Sequence, residues 1–232
     1  MTHGKRYLDM KKGFDRNQLF PLAEAIAMSK KMATAKFDET IEMHFNLGID
    51  PRHSDQQVRS TVMLPNGLGK EVRVLVFAES EAARAAEEAG ADIIADDEVI
   101  ARIQNEGFLD FDATLAVPAM MKKVGRIARI LGPRGLMPSP KAGTVVQPDD
   151  LQRAVNELKA GRVEFRNDKT ANLHIPVGKA SFEADKLTEN AEAVVAAVQA
   201  QKPSGIKGTY IQRIVLTSTM GIGIRVDPST LN

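Results

Sequence analysis

Thr217-Ser218-Thr219-Met220-Gly221 sets three hydroxyls, a flexible apolar side chain and a glycine in a row. Hydroxyls and bare backbone suit hydrogen bonds to sugar 2′-hydroxyls and phosphates, and a methionine can pack on a ribose face. The same residues also suit an ordinary turn at a strand end. Lys30, Lys31 and Lys36 lead into Phe37. A solvent-facing aromatic beside lysines can stack on a base while the lysines meet phosphates. Composition by itself favours a core position for Phe37. Arg166-Asn167-Asp168-Lys169 reads as a hairpin tip. Turn chemistry explains Asn167 and Asp168, and it leaves Arg166 and Lys169 exposed and within reach of phosphates.

Groups suited to catalysis are sparse. His3, His44, His53 and His174 are scattered, and no two have the i, i+4 spacing of a helix-borne metal pair. His44 and His174 alternate with apolar residues, which favours a polar sheet face over a metal site. Asp96-Asp97-Glu98 opens a helix, where acids offset the N-terminal dipole. No catalytic residue, metal or cofactor is expected. Without cysteine, disulfides and thiolate chemistry are excluded. A dinucleotide site needs a glycine-rich turn after the first strand of a βαβ unit. Here that turn is Phe77-Ala78-Glu79-Ser80, with an acid and no glycine. Gly132-Pro133-Arg134-Gly135 lacks the glycine spacing of a phosphate loop.

The 232 residues carry a net charge of only +1, but the charges are segregated. Residues 79–106 hold nine acids against Arg84 and Arg102. Residues 113–148 hold no acid but six bases, Lys122, Lys123, Arg126, Arg129, Arg134 and Lys141. Residues 193–226 again lack acids and carry Lys202, Lys207, Arg213 and Arg225. This pattern fits cationic faces with an acidic back, and equally well plain solvated surfaces. No apolar run approaches the roughly 18 residues of a membrane span. The start, MTHGKRYLDMKKG, is charged and unlike a secretory signal. A soluble cytoplasmic protein is expected.

The elements that must position these residues come in two styles. A helix is expected over Asn17–Ala33, with Pro21 in its first turn. Thr40–Leu47 alternates strictly, as a strand with one buried face does, and Val58–Leu64 reads as its partner. After Pro65-Asn66-Gly67-Leu68-Gly69 the style changes. Val72–Phe77 is a nearly continuous apolar run, followed by a helix capped by Ser80 and stopped by Gly90. Then come Ile93-Ile94, a helix from Asp96 to Asn105, strand Ala113–Val117, a helix opened by Pro118, and another over Asp150–Lys159. Strands alternating with helices imply a parallel sheet. Beyond Gly161 the first style returns. Val163–Arg166 and Leu173–Val177 form an expected hairpin, Ala184–Gln201 a helix, Tyr210–Leu216 a strand, and a last short strand runs through Val226. The expected fold is therefore two domains. A discontinuous α+β domain is built from both chain ends, 1–68 and 161–232. A Rossmann-like α/β domain with a parallel sheet is inserted at 69–160. Gly67, Gly69 and Gly161 would serve as a hinge at the two crossings.

Taken together, the segments resemble one family. They are Ala35–Thr40 (AKFDET), Leu47–Arg52 (LGIDPR), Leu64–Lys70 (LPNGLGK), Arg129–Pro138 (RILGPRGLMP), Glu164–Lys169 (EFRNDK), Pro176–Phe182 (PVGKASF) and Thr217–Gly221 (TSTMG). These seven stretches, in this order, resemble the ribosomal protein L-one family of the mobile large-subunit stalk beside the tRNA exit site. The resemblance implies an RNA surface made by Lys36, Phe37, Thr40, Arg166, Asp168, Lys169, Thr217, Ser218, Thr219, Met220 and Gly221. It implies auxiliary RNA contacts from Lys122, Lys123, Arg126, Arg134 and Lys141. The implied partners are the large-subunit rRNA stalk in the assembled ribosome, exit-site tRNA and the protein's own operon mRNA, which it would repress. The other reading is a free RNA-binding translational regulator. Ala128, Ser139 and Ile222 depart from the family's pattern, which holds glycine, asparagine and proline there.

Overall fold

The computed structural model describes residues 4–12, 15 and 17–230. His3 lies outside them. In chain order the elements are α1 (Lys5–Lys12), β1 (Leu19–Phe20), α2 (Leu22–Met32), β2 (Thr40–Leu47), β3 (Arg59–Met63), β4 (Val74–Phe77), α3 (Ser80–Glu88) and β5 (Ile93–Ile94). They continue with α4 (Asp97–Glu106), β6 (Ala113–Ala116), α5 (Met121–Val124), α6 (Ala128–Leu131), α7 (Leu151–Ala160), β7 (Arg162–Arg166), β8 (Asn172–Lys179), α8 (Ala184–Ala200), β9 (Ile211–Ser218) and β10 (Ile224–Val226). The chain divides into two compact units. One is made of residues up to Gly69 and from Val163 onward, the other of Lys70–Arg162. Among the described residues no helix is long and apolar enough to cross a membrane.

The first unit is a five-stranded sheet in the order β1-β10-β9-β2-β8. β2 lies between β9 and β8 and pairs antiparallel with both. Its alternation decides its faces. Ile41, Met43, Phe45 and Leu47 are buried, whereas Thr40, Glu42, His44 and Asn46 remain half-exposed. α2 and α8 cover the apolar face through Leu22, Ala25 and Ile26 and through Leu187, Ala191, Val194, Val195 and Val198.

Two pairings differ from expectation. β3 joins β7 in a separate two-stranded sheet and does not touch β2 as a strand. Alternation fixes which face a strand buries but not its neighbour, and both edges of β2 are taken. For the same reason β7 and β8 are not a hairpin. The chain crosses from one sheet to the other at Asn167–Ala171. The Asn167 N–H donates to the Val58 carbonyl (3.1 Å), and the Val58 N–H donates to Asn167 Oδ1 (2.8 Å). The helix expected from Asn17 begins at Leu22, because Leu19 and Phe20 pair in parallel with Arg225 and Val226. α1 was not expected at all.

The second unit is a parallel sheet, β5-β4-β6. All four residues of β4 are buried. Leu75 and Phe77 pack with Ile100, Ile103, Val124, Ile127 and Leu131, on the side of α4, α5 and α6. Val74 and Val76 pack with Ala86, Leu151, Val155 and Leu158, on the side of α3 and α7. The result is a three-layer α/β arrangement. The helix expected after Pro118 is instead a chain of single turns from Pro118 to Arg134. Ser80 does not cap α3. It is the first helical residue, at φ 53°, and Glu79 holds the cap position without a side-chain bond. Asp96 does cap α4, accepting the Val99 N–H. Of the three glycines at the crossings, Gly161 ends α7 in the left-handed region. Gly69, at φ 68°, lies so close to the Phe182 ring that a Cβ would meet it at 2.5 Å. Gly67 also has positive φ.

Candidate nucleic-acid interface

The register places Ile41 opposite Ser218 and Glu42 opposite Thr217. The loop entering β2 and the turn leaving β9 therefore meet. Glu39 joins them. It is only 1% exposed, and its carboxylate accepts the Ala35 N–H (2.8 Å), the Ser218 hydroxyl (2.7 Å) and the Met220 N–H (2.9 Å). Burial alone would raise its pKa. The bonds from Met220, Ser218 and Ala35, with the charge of Arg6, hold it below the usual carboxylate range. On this base the loop presents Phe37 and the turn presents Met220, 56% and 52% exposed. The core position that composition favoured for Phe37 is thus overturned. Lys36 is exposed beside it.

The hydroxyl-rich turn is not uniform. Thr219 is exposed, and its hydroxyl bonds the backbone of Thr40. Thr217 is half-exposed and donates to the Ser218 carbonyl (3.0 Å). Ser218 is buried against Glu39, so it supports the turn and does not face solvent. Gly221 makes room inside the protein: a Cβ there would lie 2.5 Å from Ser218 Oγ. Ile222, one of the departures, is buried. Lys179 donates to the Thr40 hydroxyl (3.0 Å). Lys30 donates to the Phe182 carbonyl, which directs its charge inward. From α1, Arg6 donates to the Met220 carbonyl (2.9 Å).

The Arg166–Lys169 cluster is elsewhere. β2 and β8 run antiparallel from Thr40↔Lys179 to Asn46↔Asn172, so the Asp168 turn sits at the far end of β2 from Thr40. At about 3.4 Å per residue the two ends are roughly 20 Å apart. Arg166 and Lys169 are exposed. Asp168 binds its own turn: it accepts from the Asn172 and Thr170 N–H groups (2.8 Å each) and from the Thr170 hydroxyl (2.7 Å). Burial would raise its pKa, but these bonds and the Asn172 amide bring it down to about 2. Between the two ends, on the half-exposed face, His44 Nδ1 and His174 Nδ1 lie 2.8 Å apart. Burial, then the neighbouring His174, push the His44 pKa down, against a smaller opposing effect of Glu42. Among the described residues no group of three or more His, Asp or Glu is placed to hold a metal ion.

In the second unit Lys122, Arg126, Arg134 and Lys141 are exposed. Lys123 is engaged by Asp97 (2.8 Å) and by Glu79 (2.5 Å). Those bonds raise its pKa, Asp97 contributing most.

Glu39, Arg6 and Lys179 were not picked out from the sequence. One signal was available for Ser218: it continues the buried series Ile214, Leu216, which separates it from its two hydroxyl neighbours.

The chain is 57% identical over 229 residues to the large ribosomal subunit protein uL1 of Thermosipho melanesiensis, covering 99% of this chain and 98% of that one. It is 58% identical over 225 residues to the uL1 of Chloroflexus aggregans, covering 97% and 95%. The uL1 of Chloroflexus aurantiacus is 57% identical over 226 residues, with the same coverage. The ribosomal protein L1p/L10e family profile matches residues 29–222, a span that holds Phe37, Glu39, the Asp168 turn, Met220 and the whole second unit. With that span matched and near-full-length relatives at this identity, the chain belongs to the ribosomal protein L1p/L10e family.

Proposed function

We propose that the chain is a structural rRNA-binding protein of the large ribosomal subunit, holding the stalk rRNA mainly through its first unit. The observation that carries this reading is the Glu39 joint. It spends a buried carboxylate on fixing a loop and a turn whose outward side chains, Phe37 and Met220, are large, apolar and exposed. Such side chains suit a base or ribose face, and Lys36 beside them suits a phosphate. Arg166 and Lys169 extend the contact at the other end of the sheet face. Lys122, Arg126, Arg134 and Lys141 form an auxiliary surface.

The test is binding of the whole chain to a stalk rRNA fragment at several salt concentrations. With a net charge of +1, the salt slope should correspond to about three to six phosphate contacts. Phe37→Ala should weaken binding about ten-fold or more, as loss of one stacked base does, without lowering the melting temperature. Binding within two-fold of the parent would overturn the assignment.

Two finer roles follow from the family reading: assisting release of deacylated tRNA from the exit site, and repressing the protein's own message through an rRNA-like fold. For the second to work as feedback, rRNA must bind tighter than message. Lys36→Glu with Phe37→Ala should then impair rRNA binding and reporter repression in parallel. Repression that survives loss of rRNA binding contradicts a shared site.

A further inference from the structure

α1 is eight residues long and buries none of them. A helix of that length is marginal in water by itself, and most helices in proteins owe their stability to a packed face. α1 has no fully buried residue, and only Tyr7 and Met10 are half-buried. Its sequence, Lys-Arg-Tyr-Leu-Asp-Met-Lys-Lys, carries four bases against one acid, with Lys11 and Lys12 in the last turn. The pair Lys12–Asp9, 2.8 Å, is fully at the surface, where such pairs contribute little. Yet the helix is not placed at random. Arg6 donates to the carbonyl of Met220, the residue whose side chain the turn presents to solvent. Arg6 is thereby set against the exposed turn, and Lys5, Lys11 and Lys12 share its helix, which buries no residue fully.

We infer that α1 is a third arm of the interface, which takes the phosphate backbone of the RNA bound at Phe37 and Met220 and is itself fixed by that contact. The inference rests on the RNA-binding reading above. Arg6 keys the helix to the Met220 turn. Lys5, Lys11 and Lys12 meet phosphates, and Lys12 exchanges Asp9 for one. Leu8, 44% exposed, packs on a sugar. Binding then carries an ordering cost in α1, repaid by the new ionic contacts.

The experiment uses the full chain and the stalk rRNA fragment, comparing the parent with Lys5→Gln/Lys11→Gln/Lys12→Gln. The expected result is a salt slope smaller by about two, since each phosphate contact contributes about 0.7–0.9. Affinity should fall about ten-fold at moderate salt, and the melting temperature should not change. Amide exchange of residues 5–12 should be fast in the free protein and slow in the complex. Phe37→Ala, by contrast, should lower affinity and leave the slope unchanged. An unchanged slope in the triple variant, or full exchange protection of α1 without RNA, overturns the inference while leaving the RNA site at Phe37 standing. No binding by the parent chain overturns both.

Discussion

The hydroxyl of Thr219 accepts the Thr40 N–H at 2.9 Å and returns a bond to the Thr40 carbonyl at 3.3 Å. The side chain thus acts as one more rung between β2 and β9, just past the Ile41↔Ser218 pair. Thr219→Val loses both bonds. It should cost about 1–2 kcal/mol of stability and loosen the turn that carries Met220, so that RNA affinity falls with it. Thr219→Ser keeps the hydroxyl and should restore both. Thermal unfolding and filter binding on the two variants check this. A valine variant as stable as its parent would contradict the rung.

Glu39→Gln should be more damaging, because hydrogen bonds to a charged acceptor are worth about 1.5–3 kcal/mol each and this carboxylate accepts three. The pH dependence has a definite sign. The folded-state pKa is depressed, so the stabilisation is complete above the ordinary glutamate value and is lost as pH falls through the depressed one. Urea midpoints should show a gap between parent and variant at pH 7 that narrows below about pH 4. A constant gap would place the effect in packing, not in the charge.

His44 acts in a different window. Its folded-state pKa is also depressed, by burial first and by His174 second. The folded protein therefore prefers the neutral ring. Stability is complete above the ordinary histidine value of about 6.5 and declines as pH falls through the lower folded value. The parent should lose stability between pH 7 and 5, and His44→Asn should flatten that part of the curve. An unchanged curve in the variant would assign the decline to other groups.

The two units should be separable. Each has its own buried clusters. Replacing 70–162 with a short Gly/Ser linker should leave a protein with a cooperative melt, since closing a short loop adds little entropy cost. It should retain most of its stalk RNA affinity, because Phe37, Arg166, Lys169 and Met220 all remain. An unfolded product by circular dichroism would show that the first unit depends on the second.

Much of this was legible in the sequence where periodicity speaks directly. The strict alternation of Thr40–Leu47 gave the faces of β2, and the nearly continuous apolar run ending at Phe77 gave a strand covered on both sides. Partners were less legible. Val58–Leu64 alternates too, but nothing in it says that its neighbour is Arg162–Arg166 rather than β2. Glu39 was hidden for another reason. An acid in the polar stretch Asp38-Glu39-Thr40 reads as exposed, and its burial depends on donors 179 and 181 residues away. Phe37 misled in the opposite direction, since an aromatic is costly to expose and composition therefore favours the core, yet Phe37 is exposed. α1 carries no apolar stripe, so periodicity had nothing to report.

The position of β2 between β8 and β9 sets an order of events during synthesis. His44 waits 130 residues for His174, and Thr40 waits 179 for Thr219. At roughly 5–20 residues per second, the first wait alone lasts about 7–26 s. The second unit is contiguous, so it can fold as soon as Arg162 has cleared the exit tunnel, while the earlier-made strand still has no neighbours. The joint that presents Phe37 and Met220 therefore forms only after Ser218 and Met220 have emerged. A nascent chain that stops short of Met220 lacks it, so RNA binding that depends on this joint should be absent from such a chain.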